Sequence, residues 1–107
     1  MSNQQLPETF QGLGRRHKAL LDAVESLGRA AKQSGPIDEK TAQLIQLAAA
    51  ASIRSEGAVH SHVRRALQAG ASAEEIEHAI VLLTSTIGFP GVAAALSWVG
   101  DIVSTDS

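Results

Sequence analysis

The sequence predicts an all-α protein, a single-domain bundle of about five helices covering residues 1–107. Three observations carry that prediction. Apolar residues recur at steps of three and four along the chain, and no stretch alternates with a period of two. Cap and breaker residues stand at the ends of each apolar stretch. The aromatic residues are Phe10, Phe89 and Trp98 alone, so Ala, Leu, Val and Ile must fill the core, and side chains this small suit closely approaching helices better than a thick sandwich.

The elements follow in order. Leu13, His17, Leu20, Leu21, Val24, Leu27 and Ala31 form one stripe of an amphipathic helix over about residues 8–33, which Gln33-Ser34-Gly35-Pro36 ends. Asp38 is placed to cap a second helix, whose apolar face is Leu44, Ile45, Leu47, Ala48 and Ala51; the alanine run from 48 to 51 permits close packing. Ser55 reads as the cap of a third helix bearing Ala58, Val59, His62, Ala66 and Ala69, with Gly70 as the left-handed residue that stops it. Ser72-Ala73-Glu74-Glu75 is a capping box, and the apolar run Ile76–Ile87 continues it as a fourth helix. Gly88-Phe89-Pro90-Gly91 interrupts, Pro90 opens a fifth helix at its first position, and Val92–Val99 carry it to a polar tail.

Composition excludes several classes of function. Nine Lys+Arg against eleven Asp+Glu give a net charge of −2, and no basic run offers a footprint for nucleic acid. With no cysteine, the chain supplies no disulfide, no thiolate metal ligand and no thiol nucleophile. The polar start from Met1 to Gln5 is no secretory signal and no apolar run nears the roughly 20 residues that cross a bilayer, so a cytoplasmic protein without membrane partners is expected. A short Ala-rich chain hides only about two thirds of its unfolded surface, which predicts self-association in a symmetric oligomer.

From about Ile37 to Trp98 the sequence resembles the carboxymuconolactone decarboxylase and alkylhydroperoxidase D-like superfamily. Thr41-Ala42-Gln43-Leu44-Ile45 is similar to its K-x-E-L-I helix, and His62-Val63-Arg64-Arg65-Ala66-Leu67-Gln68-Ala69-Gly70 to its H-x-x-x-A-L-x-x-G helix. Ala71-Ser72-Ala73-Glu74-Glu75-Ile76 resembles x-[ST]-x-E-E-I, and Gly88-Phe89-Pro90 the Gly-x-Pro break before the last helix. The resemblance implies an alkylhydroperoxidase D-like all-α fold and a homotrimer or homohexamer. It also implies a redox apparatus that this chain lacks. In the superfamily's redox branch a C-x-x-C-x-x-x-H motif works with a Glu on the preceding helix; those positions hold Ser55, Ala58, His62 and Gln43 here. A hydroxyl and a methyl group cannot follow a thiolate through sulfenic acid to a disulfide. A thiol peroxidase (peroxiredoxin-type) activity is therefore contradicted by the residues, whereas the decarboxylase branch, which uses no cysteine, fits better.

His62 is the candidate catalytic residue. It lies on the helix face shared with Ser55, Ala58 and Ala66, where an imidazole can move a proton near neutral pH; the other reading is a structural histidine satisfied by neighbouring helices. Gln43, Glu56 and His60 are candidate ligand-binding residues. Glu56 and His60, four apart, share a helix face, and their plainer reading is a solvated pair. His60 and His62 point about 200° apart around a helix, so no intrachain metal site and no cofactor are predicted, leaving only a site completed between subunits. His17 and His78 have no recognisable ligand spacing. Ser55 and His62 stand about 10 Å apart along a helix axis, too far for a nucleophile and base. Arg54, Arg64 and Arg65 suit an anionic ligand or plain solvent.

Two functions follow from these residues. One is a cysteine-free lyase or isomerase acting on a small molecule by proton transfer through His62. The other is a non-catalytic helical oligomer that binds a small ligand.

Overall fold

A computed structural model describes residues 8–103, with side chains from residue 11 onward; the polar start and residues 104–107 lie outside them. Among the described residues there are seven helical segments and no strand, so the all-α prediction holds. The chain divides into two compact units, Met1–Pro36 and Ile37–Ser107.

The first unit holds α1 (Glu8–Arg16) and α2 (Lys18–Lys32). The sequence predicts one helix here, and the structure breaks it at His17, whose backbone (φ −135°, ψ 52°) leaves the helical region. The hydrogen bonds from His17 N to Leu13 O (2.7 Å) and from Leu21 N to His17 O (3.1 Å) close the turns on either side. Gly12 and Gly14 lower the helix propensity just ahead of the break. Arg29 and Lys32 face the carbonyl end of α2, where cations are favoured. No residue of α2 is buried: Leu20, Val24 and Leu27 of the predicted stripe are 58%, 55% and 70% exposed.

The second unit contains α3 (Glu39–Ser52), α4 (Glu56–Gln68), α5 (Ala73–Val81), α6 (Thr84–Ile87) and α7 (Phe89–Val103). Asp38 caps α3 as predicted, its carboxylate accepting from Thr41 N at 3.3 Å. That bond holds the Asp38 carboxyl below its ordinary range. The capping box at α5 is complete: Ser72 Oγ accepts from Glu75 N at 3.0 Å and Glu75 Oε1 from Ser72 N at 2.9 Å. The predicted fourth helix is split at Leu82-Leu83 into α5 and α6, which with the break at His17 turns five helices into seven. Pro90 stands one residue further into α7 than predicted, still within the first turn, whose N–H groups have no helical acceptor.

Two chain reversals fix where the site lies. After α4 the N–H of Ala71 reaches Ala66 O (2.9 Å) and that of Gly70 reaches Leu67 O (3.1 Å), with Gly70 at φ +99°. This is a Schellman closure. The same pair of bonds ends α3, from Ser55 N to Ala50 O and Arg54 N to Ala51 O, but the left-handed residue there is Arg54 at φ +59°, so α4 starts from a strained turn. α4 packs chiefly on α3 and α7, and α5 on α3 and α7.

The core of this unit is aliphatic: Leu47, Val59, Val63, Ile76, Ile80, Val92 and Val99, with Ala50, Ala51, Ala66 and Ala95 between them. Those alanines let helix axes approach. Trp98 packs against this core from the side and Phe89 is 65% exposed. Against that apolar background one polar residue among those described is fully buried, Gln43.

Candidate functional site

Gln43 is held inside by hydrogen bonds at both ends of its amide. It stands one turn after Glu39 on α3, and its Nε2 donates to Glu39 Oε2 at 2.9 Å. Its Oε1 lies 2.9 Å from His62 Nδ1 on α4. The carboxylate is an acceptor only, so the amide nitrogen must face Glu39 and the amide oxygen must face the ring. His62 Nδ1 then carries the proton and donates it to Gln43, which places the lone pair of the neutral imidazole on Nε2. Three residues on two helices thereby select one tautomer and one ring orientation. His62 itself is half-buried and Glu39 exposed, so the row runs from solvent into the α3–α4 interface.

The register by which Gln43 replaces the superfamily's Glu thus has a geometric counterpart, since that position does face His62. The other two substituted positions lie at the start of α4. Ser55 occupies the N-cap, as predicted, but its side chain makes no capping bond. Asp38 and Ser72, which do cap, have ψ of 167° and 161°, whereas Ser55 has ψ 95°, and the hydroxyl is turned off the free amides. Ala58 is half-buried and packs against the core. None of the three replacements carries an ionisable side chain.

His60 and His62 diverge as the helix period requires. His60 Nε2 lies 2.9 Å from Asp101 Oδ2 in the last turn of α7 and 4.0 Å from Glu56 Oε2 in the first turn of α4. The predicted Glu56–His60 pair therefore gains a third member that the sequence analysis did not single out. Nothing in local spacing could find Asp101, 41 residues from His60. Glu39 was missed as well, though its place four before Gln43 on the same helix face was a signal that could have found it.

The remaining candidates are dispersed. His17 is exposed at the break before α2, and His78 is exposed in the last turn of α5. Arg65 is exposed and Arg64 half-buried. Arg54 is exposed, with Nη1 3.6 Å from where a Cβ on Gly91 would stand. On α3, one turn after Gln43, Gln46 Oε1 is buried without a hydrogen-bond partner, an acceptor in want of a donor. No helix among the described residues is long and apolar enough to cross a membrane.

Comparison with known proteins bears on the family alone. The carboxymuconolactone decarboxylase family pattern matches residues 18–101. An uncharacterized protein of Haemophilus influenzae is 37% identical over 59 residues, 55% of this chain and 52% of that protein; the chain thus spans about half the length of that curated relative. No solved structure matches. The chain belongs to the carboxymuconolactone decarboxylase family, as a member without cysteine.

Proposed function

We propose that this carboxymuconolactone decarboxylase family chain is a lyase or isomerase for a small carboxylated molecule, working without thiols by proton transfer at His62 Nε2. The observation that carries the reading is the Glu39–Gln43–His62 row. A general base needs its lone pair on a defined nitrogen aimed in a defined direction, and the buried amide supplies both. Gln43 neither takes nor returns a proton, so it is a positioning residue. Glu39 in turn orients the amide and favours positive charge building up along the row when His62 is protonated.

A second reading has its own support. Three of the superfamily's four reactive positions hold non-ionisable residues, which suits a chain that binds a ligand and does not transform it. In either case we expect an assembly of identical chains, a trimer or a hexamer with α3 and α7 at the contacts. Ile45 and Ile53 around α3 and Phe89 on α7 are 51%, 76% and 65% exposed, more apolar surface than a solitary domain usually leaves in water. Sedimentation reads this directly, and a stable monomer at micromolar concentration would refute it.

The test of activity is incubation with carboxymuconolactone in deuterated water, followed by NMR for loss of the carboxyl group and for deuterium at the adjacent carbon. Turnover abolished in His62→Ala and weakened in Gln43→Met supports proton transfer at His62. Saturable binding without turnover in the wild type selects the second reading. Dithiol-dependent hydroperoxide reduction above a heat-killed control would overturn both.

A further inference from the structure

The polar cluster on the α7 side of α4 has no part in the chemistry proposed for His62. Glu56, His60 and Asp101 each offer one ligand atom, and these atoms all lie within 4.8 Å of one another. We propose that the three side chains bind a divalent first-row transition-metal ion, fastening the first turns of α4 to the last turn of α7.

The donor set suits such an ion. One neutral imidazole with two carboxylates is a borderline nitrogen–oxygen site, of the kind that Zn²⁺ or Mn²⁺ accepts. An ion about 2.1 Å from each donor needs donors about 3.0–3.4 Å apart. His60 Nε2 and Asp101 Oδ2, hydrogen-bonded at 2.9 Å, are just closer than that spacing, and the proton between them leaves when the ion takes its place. Glu56 Oε2 stands 4.0 Å from the same nitrogen. Its side chain is 57% exposed and has three rotatable bonds, so a rotamer adjustment can bring it to ligating distance.

Charge points the same way. With His60 neutral, the two carboxylates bring two negative charges to one small volume. The last turn of α7 has no basic side chain, and its carbonyl end adds negative potential where Asp101 stands. Glu56 sits in the first turn of α4, one turn before His60 on the same helix face. The His60 side chain is only 23% exposed, so one ligand is fixed by packing while the carboxylates remain open to an ion arriving from solvent.

The experiment is calorimetric titration of the full-length, chelator-treated protein with ZnCl₂, paired with NMR of the histidine rings during addition of MnCl₂. The expected result is one Zn²⁺ per chain, selective Mn²⁺ broadening of the His60 ring over those of His17 and His78, and a higher melting temperature with zinc. In Asp101→Asn affinity should fall by about tenfold or more. Binding should also weaken as the pH falls and protons compete for His60 Nε2. Asp101→Asn keeps an acceptor for His60 and so tests ligation even where His60→Gln fails to fold. Wild-type protein that takes up no zinc at about 100 μM, equal affinity in Asp101→Asn, or Mn²⁺ broadening spread evenly over all four histidines would overturn the proposal.

Discussion

Replacing Gln43 with methionine removes both polar ends of a fully buried side chain while keeping its unbranched shape. On the Glu39 side the loss is small, because that carboxylate is exposed and turns to water. On the other side His62 Nδ1–H loses its acceptor at 2.9 Å. Leaving a buried donor unsatisfied costs about 1–3 kcal/mol; His62 is half-buried, and the thioether enters the interior more readily than the amide did. The net expectation is a loss of about 1 kcal/mol, or about 4–8 °C in Tm for a domain of this size. Gln43→Ala adds a void and should cost about 2 kcal/mol more. Pairing Gln43→Met with His62→Leu removes donor and acceptor together. The double variant should then be about 1 kcal/mol more stable than the sum of the single losses predicts. Urea unfolding followed by far-UV circular dichroism and by Trp98 fluorescence measures all four corners of this cycle. Wild-type stability in Gln43→Met, or strict additivity in the double variant, would refute the tautomer-fixing role given to the amide.

Three other outcomes are expected. Gly88 holds φ +90° and ψ 154° between α6 and α7, a region closed to L side chains, so Gly88→Ala should cost about 1–3 kcal/mol in urea unfolding; an unchanged midpoint would contradict the geometry. Arg54→Gly should stabilise by about 1 kcal/mol by relieving the left-handed residue at the end of α3; an unchanged or lowered urea midpoint would contradict the strain. The Glu75 carboxyl is held below its ordinary range by the Ser72 backbone N–H and then by Lys40, whose Nζ lies 3.1 Å away. A carboxyl whose folded pKa is depressed stabilises above its unfolded value and loses that contribution as pH falls through the folded one. Stability should therefore decline from about pH 5 to pH 3, less steeply in Lys40→Met, and identical pH profiles would dismiss the pairing.

How much was legible in the sequence depended on whether a feature was local. The caps at Asp38 and Ser72, the left-handed Gly70 and the break before α7 were readable because each is set by residues within one or two turns. The apolar periodicity found Leu47, Ala51, Val59 and Ala66 of the buried faces, missed Gln43, Ala50 and Val63, and put the exposed Ile45 on a core face; it also ran straight through His17 and Leu82, since a shared stripe does not reveal a change of backbone direction. Ser55 was found at its position and misread in its use, because capping depends on a ψ angle that residue type does not specify. At the site, His62 and Gln43 came from the motif spacing, and the divergence of His60 from His62 from helix geometry alone. Asp101 was invisible, as its meeting with His60 is made only when α7 packs against α4.

The two histidines of α4 also bear on how firmly that helix is oriented. Its buried face is Val59, Val63 and Ala66, aliphatic groups so alike that a small roll of the helix would exchange one greasy contact for another at little cost. His60 bonded to α7 and His62 bonded to α3 act as two keys set on different sides of one shaft. A roll in either direction pulls at least one of them from its seat on the neighbouring helix, and a directional bond, unlike a methyl contact, is lost over a small displacement. The azimuth of α4 is thus dictated by directional bonds at its flanks, while the hydrocarbon between them supplies cohesion without a preferred angle.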